Sequence, residues 1–207
     1  TPNDPATLAL LPQLSLSDLT ADVDFHTVRP TRMFDQEVLV SELETNHISY
    51  IDIGFDFSCI PPELLPWIDL FGTIVTEIGS NRLDYIHFAK EIATCTGSFN
   101  HSLTTYTRRG ESERVQPVLW LHLKCLPEYF EKSLQLVAEV LSDVSFADRT
   151  RIREIVGREF AWAEHSVQSE GYGLAAARVS AHLSLAGRYS EMFNGATAYL
   201  ATKKLAL

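Results

Sequence analysis

Hydrophobic and polar residues alternate strictly between Ser49 and Phe57. The apolar positions are Ile51, Ile53, Phe55 and Phe57, and the polar positions are Tyr50, Asp52, Gly54 and Asp56. A period of two over nine residues predicts a half-buried antiparallel strand. One face of this strand should therefore pack on a core, and the other should meet solvent or a ligand.

The segment after this strand changes to a helical period. Pro61 and Pro62 suit the first turn of a helix, because proline fixes φ and lacks only an N–H that this turn leaves unpaired. The apolar stripe then consists of Leu64, Ile68, Phe71, Val75 and Ile78, at steps of three and four. Gly79 is placed to end the helix in a left-handed conformation. We predict that Phe71 faces the sheet.

The remaining patterns predict strands followed by helices. The predicted strands are 24–32, 37–45, Phe99–Thr107 and Val115–Cys125, with a tight turn at Asn46-His47 and a charged hairpin loop at 108–114. The predicted helices are 82–95 with Ser80 or Asn81 as cap, one from Pro127 with Phe130, Leu134, Val137 and Leu141 on one side, and three between Asp148 and Leu200, with Gly187 as a break. This order indicates an α+β fold, a mainly antiparallel sheet covered on one face by helices.

Two further stretches carry a family pattern. Residues 11–19 read LPQLSLSDL, and residues 169–200 read SEGYGLAAARVSAHLSLAGRYSEMFNGATAYL. With the strand and helix above, they resemble the pitrilysin/insulinase-type zinc metallopeptidases, in the presequence-protease branch. The matching positions are Gly171, Tyr172, Ala175 or Ala176, Arg178, Ala181, Leu183, Gly187, Glu191, Gly195 and Tyr199.

The resemblance implies a fold, a parent activity and a place within the parent. In the catalytic domain of this family the corresponding helix carries H-x-x-E-H, whereas LLPWIDLFGTIVTEIG contains no histidine. It therefore implies a non-catalytic third domain, the first of the C-terminal half, in a longer chain. The parent would hold zinc in another domain and degrade short unstructured peptides in a closed chamber.

The same resemblance implies the domain boundaries and the partners. Residues 1–24 would be a linker from the interdomain hairpin, and residues 25–207 a single peptidase-like domain. Its partners would be the other domains of the polypeptide and peptide substrates, and its role would be chamber wall. The alternative is a non-catalytic protein-binding or core subunit of the same fold.

Composition and charge narrow the partners. The 207 residues are 45% hydrophobic and 21% charged, which is typical of a globular domain. A formal net charge of −10 argues against nucleic-acid binding, which needs a basic face. No apolar run approaches the ~20 residues of a membrane span. Cys59, Cys95 and Cys125 show no paired spacing and predict buried free thiols in a reducing compartment, the cytoplasm or an organelle matrix.

One segment comes close to a metal motif. Residues 161–165 have the form A-x-x-E-H, in which Ala161 stands where the inverted zinc motif has its first histidine. That motif needs two histidines four residues apart, so that both face one metal ion. With one of them missing, we interpret Glu164 and His165 as a surface pair on a helix.

The other chemistry-bearing residues form no recognisable catalytic or binding motif. His26, His47, His87, His101, His122 and His182 lack metal-ligand spacing, although His101 and His122 become cross-strand neighbours if their two strands pair. Arg108 and Arg109, with Glu111 and Glu113, indicate a solvated hairpin tip, and Gly171-Tyr172-Gly173 a turn between helices. Trp67, Trp120 and Trp162 are predicted to pack in the core or between domains. The sequence assigns no catalytic, cofactor-binding or metal-ligating residue to this chain.

Overall fold

The computed structural model describes residues 4, 10–12, 14–19 and 25–207. The chain divides into two compact units, residues 1–45 and residues 46–207. In the first unit, a short 3-10 turn at Leu16–Asp18 precedes an antiparallel hairpin of β1 (Val28–Met33) and β2 (Gln36–Ser41). Most of the predicted linker lies outside the described residues, and the predicted boundary after residue 24 stays a prediction.

The second unit combines a three-stranded antiparallel sheet with seven α-helices among the described residues. Its strands are β3 (Ser49–Asp56), β4 (Ser98–Arg108) and β5 (Glu111–Cys125), in the order β3-β5-β4. Its helices are α1 (Ile68–Glu77), α2 (Tyr85–Cys95), α3 (Phe130–Asp143), α4 (Arg149–Ser169), α5 (Gly171–Leu183), α6 (Leu185–Asn194) and α7 (Ala196–Ala206). The predicted α+β class with an antiparallel sheet is confirmed.

The turns flanking these strands use residues that tolerate positive φ. Asn46 and His47 have φ of 51° and 61°, which confirms the predicted tight turn before β3. Gly110 has φ of 82° at the tip of the β4–β5 hairpin, where the chain turns back within two residues. The predicted loop over 108–114 is therefore too long, since β5 begins at Glu111.

The apolar face of the sheet forms the core together with the helices. Leu119 of β5 packs with Phe57, Leu65, Ile68 and Phe193. Leu121 and Leu123, at the next positions on the same face, are also buried. The predicted alternation along β5 is confirmed, because each of these leucines points toward the helices while the residues between them point away.

The helix after β3 is rotated relative to the predicted stripe. A tight turn at residues 61–65 precedes a 3-10 turn at Leu65–Trp67, so the α-helix starts only at Ile68. Gly72 then lies directly against β4, where a Cβ would come within 2.3 Å of the His101 ring. This close approach turns Phe71 outward: it is 45% exposed and stacks on Phe146, so the prediction that Phe71 faces the sheet is wrong. The predicted left-handed end at Gly79 is confirmed by its φ of 89°.

Two predicted helix ends are also wrong. Asp84 caps α2 by accepting hydrogen bonds from two backbone N–H groups, whereas Ser80 contacts Glu139 and Asn81 binds Asp143. Gly187 lies inside α6 instead of breaking a helix. It allows α5 and α6 to touch, because a Cβ there would lie 2.2 Å from a backbone oxygen of α5.

The predicted apolar face of α3 is only partly correct. Val137 is buried and Leu134 is half-buried, but Phe130 and Leu141 are 42% and 48% exposed. The buried residues are instead Ser133, Leu136, Val137 and Val140. Ser133 is accommodated in the interior because its hydroxyl donates to the carbonyl of Cys95 at 2.9 Å.

Candidate functional site

The face of the three-stranded sheet that points away from the core carries a continuous group of polar and aromatic side chains. We call it the open face, and define it as Tyr50, Asp52, Gly54, Asp56, Asn100, Ser102, Thr104, Tyr106, Gln116, Trp120, His122 and Lys124. The strand register brings Asp52 and Asn100 to either side of His122, and Gly54 and Ser102 to either side of Trp120. The antiparallel pairing thus gathers residues up to 70 positions apart in the sequence.

A hydrogen-bonded row crosses all three strands of the open face. His122 Nδ1 lies 2.6 Å from Asp52 Oδ1, and His122 Nε2 lies 2.8 Å from Ser102 Oγ. A carboxylate only accepts hydrogen bonds, so Nδ1 of the neutral ring carries the proton. Nε2 is then an acceptor for the Ser102 hydroxyl. The row ends in exposed groups, since the Asp52 side chain is 58% accessible and that of His122 33%.

Next to this row, an aromatic ring lies flat on the sheet. A Cβ on Gly54 would come within 2.7 Å of the Trp120 ring, so only glycine leaves room for it. Trp120 Nε1 donates to Tyr106 Oη at 3.1 Å, and its ring stacks on His122. At the end of the face, the Lys124 ammonium lies 5.3 Å from the centre of the Tyr50 ring.

The β3 side of the open face is acidic. Asp56 accepts hydrogen bonds from Ser58 and Gln116, and those from Ser58 are the main cause of its lowered pKa. With Asp52, it presents two carboxylates beside the aromatic surface. Such a face offers acceptors for peptide N–H groups and basic side chains, and rings on which extended chains stack.

The predicted neighbourhood of the two central histidines is wrong. Asn100, not His101, pairs with His122, so the two histidines lie on opposite faces of the sheet. His101 faces the helices, and its Nε2 lies 3.1 Å from Asp69 of α1. The sequence showed both polar faces but not the register between them, and therefore missed that Asp52 is the partner of His122.

The other candidate residues of the sequence are scattered. Glu164 and His165 lie on α4, and His87 binds the cap residue Asp84 at 2.9 Å. Arg108 pairs with Glu111 at the exposed hairpin tip, as predicted. Within the described ranges, no three His, Cys, Asp or Glu side chains are grouped to hold a metal ion. The zinc of the resembled peptidases therefore has no fitting ligand set in this part of the chain.

The tryptophans and cysteines divide between buried and exposed positions. Trp67 packs against a core cluster, as predicted, but Trp120 belongs to the open face and Trp162 is 76% exposed on α4. Cys95 and Cys125 are buried free thiols, whereas Cys59 is exposed, contrary to prediction. Gly171 and Gly173 lie within α5, and the junction with α4 is at Glu170.

The combination of an antiparallel sheet, a helical layer and no metal-ligand group in the described residues defines an α+β domain without a zinc centre of its own there. Residues 1–205 match the family model for the region associated with the peptidases of metallopeptidase family 16, subfamily C. The chain therefore belongs to this peptidase-associated family, which confirms the resemblance drawn from residues 11–19 and 169–200.

Curated relatives agree with this assignment. The chain is 30% identical over 198 residues to Presequence protease 1, chloroplastic/mitochondrial, of Arabidopsis thaliana, covering 94% of this chain and 18% of that protein. It is 24% identical to Protein HypA of Clostridium perfringens, and 24% identical to the mitochondrial presequence protease of Xenopus tropicalis. These two matches cover 96% and 98% of this chain, and 20% of each relative. The chain thus spans about a fifth of the length of these relatives.

A bilayer core needs a long, continuously apolar helix to cross it. Among the residues that the structure describes, no helix combines the required length and apolar character.

Proposed function

We propose that this chain is a non-catalytic domain of a larger zinc metallopeptidase and that its open face holds peptide substrates beside a catalytic centre in another domain. Family membership supports the peptidase context, and the printed names of two relatives support peptides as the substrate class. The location of such a protein would be a cytoplasm or an organelle matrix. The chain would have the peptidase-type fold and line one wall of a closed chamber.

The single observation that carries this proposal is the asymmetry of the three-stranded sheet. One face buries Leu119, Leu121 and Leu123 under helices, and the other presents Asp52, Trp120 and the rest of the open face. A peptide held against the open face meets stacked rings and hydrogen-bond acceptors without disturbing the core. It would be retained by many weak contacts, which suits unstructured peptides of varied sequence.

The helical side of the second unit suits contact with other domains. No residue of α5 is buried, and Tyr172 and Leu183 are 79% and 78% exposed. Trp162 on the preceding helix is exposed as well. Because the relatives are about five times as long as this chain, we assign the cover of this surface to the remaining domains of the same polypeptide.

The chamber role is tested with separated halves of the parent protein. Zinc supplies Lewis acidity, but holding the peptide and excluding bulk water need the enclosure. We expect the half without this chain to keep its zinc and to lose cleavage of a labelled peptide, with activity returning when the halves are remixed. Full activity of that half alone would contradict the chamber role and favour an accessory protein-binding domain.

The open face is tested by a charge reversal in the intact parent protein. Asp52→Arg places a bulky cation in the middle of the face, and we expect KM for a peptide to rise several-fold with unchanged zinc content. Glu63→Arg is the matched control, because Glu63 is exposed in the turn after β3 and lies outside the open face. Equal effects of both variants would contradict the assignment of this face.

A further inference from the structure

We propose that Ser102, His122 and Asp52 form an acyl-transfer site that reacts with small activated acyl esters, an activity separate from the peptidase role. The order of the contacts supports this function. The Asp52 carboxylate binds His122 Nδ1 at 2.6 Å, and His122 Nε2 binds Ser102 Oγ at 2.8 Å. Serine, histidine and aspartate in this order form the arrangement in which histidine acts as general base for a serine nucleophile, whatever the fold that carries it.

The scaffold holds the three groups in place. Each residue stands on a different strand, and the central strand β5 is hydrogen-bonded on both sides. Asp52 positions the imidazole with its proton on Nδ1, which leaves Nε2 free to accept the serine proton. The Trp120 ring stacks on His122 at an interplanar angle of 22° and restricts its rotation. Groups fixed on strands in this way need little reorganisation to react.

A donor for the developing oxyanion stands on the same face. Asn100 is exposed, pairs with His122 across the ladder and precedes Ser102 by two residues. Residues two apart on a strand are about 7 Å apart at their Cα atoms, a distance that an asparagine amide and a serine-bound acyl group can bridge. A side-chain amide in this position stabilises the oxyanion of a tetrahedral intermediate.

The shape of the site selects the substrate class. Trp120 lies directly opposite Ser102 and offers a flat apolar surface for a short acyl chain. The open face is shallow, so it cannot enclose a peptide bond or drive off a poor leaving group. Small esters with a good leaving group, such as aryl acetates, are therefore the substrates.

The reaction is balanced without any co-reactant other than water. Ser102 Oγ bonds to the acyl carbon while its proton passes to His122 Nε2. The ester C–O bond then breaks, and the leaving alcohol takes that proton or departs as a phenolate, whose proton passes to solvent. Water next attacks the acyl-serine and gives a proton to Nε2. The Ser102 C–O bond breaks, the hydroxyl recovers its proton, and a carboxylic acid leaves.

The test uses the full-length polypeptide that carries this chain, with a chelator present to silence zinc-dependent hydrolysis. p-Nitrophenyl acetate reports turnover, and a fluorophosphonate probe with peptide mapping reports the modified residue. We expect label on Ser102. We expect Ser102→Ala to lower the burst rate at least tenfold, His122→Gln by about 10², the lower limit for a lost general base, and Asp52→Asn by less. Ser169→Ala is the matched control, because Ser169 is an exposed serine that binds only the carbonyl of His165.

Two outcomes would overturn the proposal. One is an unchanged burst in Ser102→Ala, and the other is fluorophosphonate label that stays when Ser102 is removed. Circular dichroism monitors the folding of each variant. Ser102→Cys provides a second check, because it keeps a nucleophile at the site and should give a thioester adduct at residue 102 after acetylation. Absence of that adduct in a folded variant would also contradict the site.

Discussion

Replacing Glu191 with alanine should destabilise the fold by about 3 kcal/mol. This carboxylate is only 3% exposed and joins three helices: it accepts from Arg178 Nη1 of α5 at 2.6 Å, and from the backbone N and hydroxyl of Thr197 in α7 at 3.1 and 2.8 Å. Hydrogen bonds to a charged acceptor contribute about 1.5–3 kcal/mol each, and we use the lower value because burying the carboxylate has a desolvation cost. The two Thr197 bonds then give about 3 kcal/mol. The ion pair adds less than about 1 kcal/mol, because the Arg178 side chain is 54% exposed.

Urea unfolding followed by circular dichroism measures this effect. For a chain of this size, about 3 kcal/mol corresponds to a fall in Tm of roughly 6–12 °C. Glu154→Ala is the matched control, because its carboxylate is 56% exposed and pairs with Arg151 on the same helix, so a change below about 0.5 kcal/mol is expected. A Glu191→Ala loss below about 1 kcal/mol would refute the view that this carboxylate fastens the helices.

Three further stability predictions concern the core, the glycines and one helix cap. Ile155 is fully buried and should lose about 3 kcal/mol as alanine in urea melts, whereas the half-exposed Phe71 should lose about 1 kcal/mol; the reverse order would place Phe71 in the core. Gly187→Ala should destabilise by about 1–3 kcal/mol because of its contact with α5, whereas Gly157→Ala, with nothing within 4 Å, should stabilise by up to about 1 kcal/mol. Hydrogen bonds from His87 lower the pKa of Asp84, so this carboxylate stabilises the fold above its unfolded pKa and the stabilisation is lost as pH falls through its folded pKa. Melts below about pH 4 should therefore show a smaller acid-induced loss in Asp84→Asn than in the wild type, and equal losses would contradict this role.

The strands could be predicted from the sequence more reliably than the helix faces. Alternation at Ser49–Phe57 has only two faces to choose between, and the structure confirms the strand. A helix can rotate by one residue with little change in its pattern, and at α1 the contact of Gly72 with His101 decided that rotation. That contact depends on tertiary packing, which a local apolar period does not contain.

The residues of the family pattern turned out to be structural. Arg178 and Glu191 form one ion pair, and Gly195 stands where a Cβ would meet the backbone of Glu191 at 2.6 Å. The candidate site was missed for a different reason. Asp52 and His122 were both visible as polar positions, but 70 residues separate them, and only the strand register brings them together.

Photo-crosslinking in the full-length protein tests the central proposal, that peptides lie against the open face, most directly. A benzophenone amino acid replaces Tyr50, which is 55% exposed on that face, or Tyr172, which is 79% exposed on α5. After irradiation with a labelled, uncleaved peptide, we expect crosslinked peptide from position 50 and background from position 172. Crosslinking at 172 with none at 50 would contradict the proposal.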